Sequence, residues 1–359
     1  MSIKKRYEYK PDFAVPPGET LRETMAYRNM SIKELSKRAD ITEQSIIRIL
    51  DDQQPISQET AYKLEQVLGN TAQFWNDLET RYQEQILKLR EREKLAKNFN
   101  WLKRIPIKEL IKRKLIKPCE DEIELLKEVL RFYGVVSVEA WMKIWQVPQV
   151  ATRRSACFET NLEAASAWIR EGELKAQDID TRPYNKSEFR NTLTQIKKMT
   201  RQLSDNFAKE MIELLAQCGV ALVFVKEMPK VPWNGATKWL KPDKAMIILS
   251  LRGKRDDILW FSFFHEACHV LNHSKTYLFI NNDSNCHDPI EEEANRFAAD
   301  FLIPESYHNK IINAKSEEDI IKISDELGLS TGIVAGRYQY LMKDWSKFNN
   351  LKRKITWKV

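Results

Sequence analysis

Apolar and polar residues along this chain recur at two periods, and the change from one to the other divides it. From Phe13 to Leu95 the pattern is helical, with short apolar stripes broken by small polar turns and almost no strand signal. Ser31-Ile32-Lys33-Glu34 reads as a capping box that opens a helix, Ile32, Leu35 and Ala39 follow at i, i+3 and i+7, and the helix closes at Asp40-Ile41. Thr42 can cap the next helix, which carries Ile46, Ile47 and Leu50. Pro55-Ile56-Ser57 then supplies a staple residue and a cap for a helix ending at Leu68, where Gly69 gives a left-handed stop. Asn98 to about Cys218 is helical as well, most regularly over Glu122–Tyr133, Asn161–Glu171 and Ser187–Leu215. Beyond it Ala221–Val225, Ala236–Leu240 and Met246–Leu251 read as three short strands, with Gly235 and Pro242-Asp243-Lys244 as turns. The expected fold is therefore mainly α with a small sheet (α+β). Its expected parts are a tail over 1–12, a helix-turn-helix bundle over 13–97, a helical linker or sensor domain over 98–215, and a domain with about three strands over 216–359, ending in a basic tail.

Length and composition add limits. A chain of 359 residues, 43% hydrophobic and 30% charged, has ample core material for two or three domains. Its longest apolar runs, Val220–Val225 and Met246–Leu249, are far shorter than a membrane span. The basic start Met1–Arg6 runs into polar residues instead of an apolar signal stretch, so the expected location is the cytoplasm. Five cysteines without C-x-x-C spacing read as reduced thiols. The net charge of +7 is unevenly placed. Residues 88–117 hold twelve basic against three acidic side chains, and residues 337–359 seven against one. Either run can be a solvated helix face, while a basic strip directly after a DNA-reading module also suits phosphate contact. Trp101, Trp141, Trp145 and Trp168 lie among apolar neighbours and read as packing residues, and no chemistry is legible in the helical middle.

Two short helices joined by a tight turn over Ser31–Leu50 form a helix-turn-helix, whose second helix offers its first residues to the DNA major groove. Here those are Thr42, Glu43, Gln44, Ser45 and Arg48. Glu43 repels phosphate but can accept from cytosine N4. Pro17-Gly18-Glu19-Thr20-Leu21, the Ser31–Leu50 pair, Pro55-Ile56-Ser57, Ala61, Leu64, Leu68-Gly69 and Phe74-Trp75 together resemble the HigA-type antitoxin branch of the Cro/C1 helix-turn-helix family. The resemblance implies binding to double-stranded operator DNA as a homodimer, often at the protein's own promoter.

A second constellation lies in the apolar helix Leu259–Leu271, which contains His265-Glu266-Ala267-Cys268-His269. Residues four apart share a helix face, so both imidazoles can reach one Zn2+, or another divalent ion such as Mn2+, at about 2.0–2.1 Å. Glu266 beside them can take a proton from activated water and return it to a departing amine. His273 lies too far along a continuous helix to share the ion with His265, about 12 Å of rise away, and reads as a supporting residue. The helix Pro289–Pro304 offers Glu291 as the third ligand, on the line of its stripe Ala294, Phe297, Ala298 and Phe301, with Asn295 four residues on to hold a ligand imidazole. Glu293 is the fallback ligand, and a site including Cys286 is a further alternative. The strand Ala236–Leu240 is the expected sheet edge for an extended peptide, and Arg337 or Tyr338 are candidate oxyanion donors.

His265-Glu266-x-x-His269, Glu291-x-x-Ala294-Asn295-x-Phe297-Ala298 and Leu302-Ile303-Pro304, with Leu249–Arg252 and Trp260-Phe261, resemble the ImmA/IrrE-type metallopeptidases over about Ala221–Pro304. The resemblance implies a gluzincin-like zinc site and cleavage of a repressor-type regulatory protein. Cys268 departs from the small residue usual at its position. Two readings follow. One is a DNA-binding regulator fused to a zinc endopeptidase that cuts a repressor-type or toxin–antitoxin-associated protein. The other is a HigA-like antitoxin or autorepressor, with a toxin partner, whose metal site is structural or sensory. A structural zinc has no need of Glu266, which favours the first.

Overall fold

The computed structural model describes residues 13–145, 162–201, 204, 206–275, 278–282 and 288–356. The 1–12 tail, Cys157, Cys286 and His287 lie outside them, so the Cys286 alternative does too. The chain forms two compact units, one up to residue 99 and one from residue 100 onward.

The first unit holds helices α1 (Pro17–Tyr27), α2 (Ile32–Ala39), α3 (Glu43–Leu50), α4 (Gln58–Leu68) and α5 (Ala72–Ala96). Local chemistry sets its boundaries. The Ser31, Thr42 and Ser57 hydroxyls accept from the amides of Glu34, Ser45 and Thr60 at 3.1–3.2 Å. Asp40 and Gly69 take left-handed conformations, with φ of 51° and 79°, and end α2 and α4. The expected capping box at Ser31 is only half formed: Glu34 turns to Arg38 at 2.5 Å. Leu21, Leu35, Ile46, Leu64, Leu68 and Trp75 form the sealed core. Gly18 is required where α1 crosses α3, because a Cβ there would lie 2.2 Å from the Ile49 carbonyl oxygen.

Helix α6 (Phe99–Leu102) starts at the boundary, and the second unit continues with α7 (Ile107–Lys112), α8 (Glu122–Tyr133), α9 (Val138–Trp145), α10 (Leu162–Gln177), α11 (Lys186–Met199) and α12 (Phe207–Ala216). Strands β1 (Val220–Phe224), β2 (Trp233–Lys241) and β3 (Lys244–Leu249) follow, then α13 (Asp256–Asn272), β4 (Phe279–Asn282), α14 (Pro289–Leu302), α15 (His308–Ile312), α16 (Glu317–Leu327) and α17 (Thr331–Met342). The described residues thus form a mainly helical protein with one small mixed sheet, as the pattern predicts. The sheet order is β1-β3-β2-β4, parallel between β1 and β3 and antiparallel elsewhere.

Three expectations change here. A fourth strand, β4, joins the three predicted. Consequently Ala236–Leu240 is no edge: β2 pairs with β3 on one side and β4 on the other. Gly235, expected in a turn, sits within β2 opposite Leu249.

One core joins the middle helices to the sheet, with Phe189, Leu193, Met211 and Leu215 packed together with Leu222, Ile247, Phe263 and Ala298. Trp168 meets Trp233 edge to face at 5.9 Å, and Trp101, Tyr133, Trp141 and Trp145 form an aromatic cluster. These tryptophans are packing residues, as expected. Part of each basic run is internal. Arg113, 9% exposed, pairs with Glu171 at 2.8 Å and donates to the Lys226 and Glu227 carbonyls. Lys352, 3% exposed, bonds Asp257 at 2.5 Å and Gln339 at 2.6 Å, and the Arg353 amide donates to Asp256 at 3.0 Å. The chain beyond α17 thereby ties down the N-terminus of α13.

Candidate functional site

Helix α13 is apolar on nearly every side and buried from Leu259 to Leu271 except at Phe261, so its two histidines and Glu266 enter the interior with it. His265 and His269 lie one turn apart with their Nε2 atoms 3.1 Å from each other. Against them α14 lays its Ala294, Ala298 and Leu302 stripe, which carries Glu291 inward. Glu291 Oε2 lies 3.0 Å from His265 Nε2, and Oε1 3.5 Å from His269 Nε2. The edges of a tetrahedron with bonds of about 2.05 Å are about 3.3 Å long. The separations here, 3.0–3.5 Å between the two imidazole nitrogens and from each of them to one Glu291 oxygen, are of that size, and two imidazoles with a carboxylate are a donor set that suits zinc.

Neighbours orient each ligand candidate. His265 Nδ1–H donates to Asn295 Oδ1 at 3.0 Å, which turns the bare Nε2 toward Glu291. The Nδ1 atoms of His269 and His273 share a hydrogen bond of 2.8 Å. Phe279, from the unpredicted β4, stacks on His269 with ring centres 4.2 Å apart. His273 accordingly supports His269, as its position along the helix predicts. Glu293 faces Asn272 and His273 instead of the His265–His269 pair, so Glu291 is the carboxylate brought to the histidines.

Glu266 is fully buried. The Thr237 hydroxyl of β2 donates to its Oε2 at 2.7 Å, while Oε1 has no hydrogen-bond partner. Burial raises the Glu266 carboxyl to about 8, opposed by the His265 charge and the Thr237 bond. At His265 burial lowers the pKa, but the bond to Glu291 and the Glu266 and Glu291 charges outweigh it and hold the ring above its ordinary value. His269 is held well below by burial, with the His265 and His273 charges adding to it. Gly235 makes the space, since a Cβ there would lie 2.7 Å from Glu266 Oε1. Thr237 and Gly235 were absent from the sequence-based site, and Gly235 was the one glycine between residues 221 and 251, which could have signalled a close approach.

A cleft of about 760 Å3 adjoins the site, lined by Asn234, Phe261, Asn295, Asp300, Arg337 and Tyr340 among others. Arg337 donates toward His308 Nε2 at 2.9 Å from the cleft wall. Tyr338 points elsewhere, buried edge to face against Phe348, and is not positioned as an oxyanion donor.

In the first unit, α3 exposes Glu43, Gln44, Ile47 and Arg48, and Thr42 just before it is exposed as well. Ser45 is half-buried, its amide and hydroxyl both engaged with Thr42. The inward residues are Ile46, Ile49 and Leu50, so Ile47, expected to be buried, is 44% exposed and belongs to the outward face.

Both assemblies have counterparts. Residues 21–75 match the helix-turn-helix family model, and residues 221–338 match the peptidase M78 model, the IrrE N-terminal-like domain. The chain thus joins an N-terminal helix-turn-helix domain of the Cro/C1 type to a C-terminal domain of the ImmA/IrrE peptidase family. No curated protein matches it. Among solved structures it is similar to an addiction module antidote protein of the HigA family from Coxiella burnetii, with 28% identity over 23% of this chain and 92% of that one, and a TM-score of 0.22. Among the described residues, no helix is long and apolar enough to cross a membrane.

Proposed function

We propose that this protein is a DNA-binding transcriptional regulator whose C-terminal domain is a zinc-dependent endopeptidase acting on a regulatory protein. The observation that carries this reading is Glu266: a carboxylate sealed beside a three-donor cluster, with one oxygen held and the other unpaired. A site built only to hold an ion has no use for that group. His265, His269 and Glu291 would hold Zn2+, which supplies a Lewis acid and an acidified water. Glu266 Oε1 takes the proton of the attacking water and delivers it to the leaving amine nitrogen. Thr237 keeps Oε2 fixed throughout, so the carboxylate meets the proton in one orientation. Asn295 and His273 fix the ligand rings. The adjoining cleft receives the substrate chain, and β4, the outer strand beside His269, offers main-chain groups to an extended segment.

At the other end, Thr42, Glu43, Gln44, Ser45 and Arg48 would read operator DNA as part of a homodimer, with Ile47 supplying apolar contact to a thymine methyl group.

The test compares new protein N-termini in native cells carrying wild type or Glu266→Gln, before and after DNA damage. A cut present only with Glu266, and reduced about 100-fold or more in the variant while metal is retained, is the expected result. Identical N-termini under all conditions, with metal still bound, would replace the peptidase by a HigA-like regulator that cleaves nothing.

A further inference from the structure

A second donor set lies beside the first and takes no part in the chemistry assigned to Glu266. Cys268 Sγ, an imidazole nitrogen of His273 and a carboxylate oxygen of Glu293 all lie within 4.8 Å of one another. They come from the buried side of α13, from the residue that caps its C-terminus, and from the flank of α14. Asn272 steers two of them: its Nδ2 donates to Glu293 Oε1 at 3.1 Å and to Cys268 Sγ at 3.7 Å. That leaves Glu293 Oε2 turned to His273 Nε2, 3.5 Å away. The His273 side chain is only 7% exposed, and its Nε2 is a buried polar atom without a hydrogen-bond partner. Buried unpaired nitrogens are costly and uncommon, and this one faces the Glu293 carboxylate in a cluster that also holds the Cys268 thiol.

We propose that Cys268, His273 and Glu293 form a second cation site, for a zinc-class dication that accepts sulfur, nitrogen and oxygen ligands together. The thiol sets the class, because Mg2+ and Ca2+ prefer all-oxygen sites whereas Zn2+ and Co2+ accept a mixed set. On binding, the thiol proton goes to solvent. With ions on both Nε2 atoms, the His269–His273 pair keeps one proton between its Nδ1 atoms and releases the other. One hydrogen bond then separates the outer ion from His269, the position from which neighbouring groups tune a ligand imidazole.

The test is a Co2+ titration of the metal-free full-length protein, followed by absorption. The set His265, His269 and Glu291 has no sulfur, so a near-ultraviolet thiolate-to-cobalt band reports the outer site alone. Wild type is expected to bind two equivalents and to show the band. Cys268→Ala should lose the band and one equivalent. Glu293→Gln, at an exposed position where the fold is not at stake, should weaken the second equivalent about tenfold or more. Folded wild type that binds one equivalent with no band overturns the outer site and leaves the inner one standing. A band that survives Cys268→Ala also overturns it, by assigning the sulfur to another cysteine.

Discussion

Glu266 is a group whose charge is poorly accommodated by its buried surroundings. Its carboxyl is raised from 4.5 to about 8 chiefly by burial, so the protonated form suits the folded protein. The stability this contributes is complete below the unfolded value near 4.5 and is lost as pH rises through about 8. In chelator, the melting temperature of wild type should fall between pH 5 and pH 9 more than that of Glu266→Gln, which has nothing to ionise. Parallel melting curves across that range would mean that the carboxylate is solvated. Much of this site was legible: four-residue spacing puts His265 and His269 on one face, and the same rule reaches Glu291 and Asn295 on the next helix. Thr237 and Gly235 were not legible, because they come to Glu266 from a strand 29 and 31 residues upstream, and only sheet-on-helix packing brings them together. Ile47 was misassigned for a milder reason, since on an eight-residue helix a one-step rotation of the apolar stripe satisfies the pattern almost equally well.

Among the elements, α13 is held at both ends, by His273 beside the His265–His269–Glu291 cluster and by Lys352 and Arg353 at its start. Lys352→Met keeps most of the stem but leaves Asp257 without its buried ammonium. Removing one member of such a pair costs about 3–5 kcal/mol, so the melting temperature should drop clearly. A melting temperature equal to wild type would show that Gln339 and solvent suffice for Asp257. From sequence, the tail showed only an excess of positive charge, and charge counts do not reveal which lysine turns inward. Strand β4 was hidden for another reason: four residues ending in Asn281-Asn282 carry too short an alternation to register, and their strand form comes from pairing with β2.

For the whole molecule, the division near residue 99 separates two complete cores. Expressed separately, residues 1–99 and 100–359 should each melt cooperatively, and the second should bind metal as tightly as the full chain. Aggregation of the second fragment beside a folded full chain would mean that the first unit is needed for its stability. The two ends of this division could be read from motifs, since capping residues mark one and a four-residue helical spacing of histidines the other. The middle could not, because Phe189, Leu193 and Leu215 reveal their allegiance only in the shared core with the sheet.

The empty space at Gly235 has a consequence for any family built on this architecture. A single methyl group at that position would press on Glu266 Oε1 while leaving His265, His269 and Glu291 untouched. A descendant could thus retain the entire signature by which such proteins are recognised, still load its ion, and have become a silent paralogue. The residue to inspect when sorting working peptidases from retired ones is then a glycine on a neighbouring strand, outside the motif altogether.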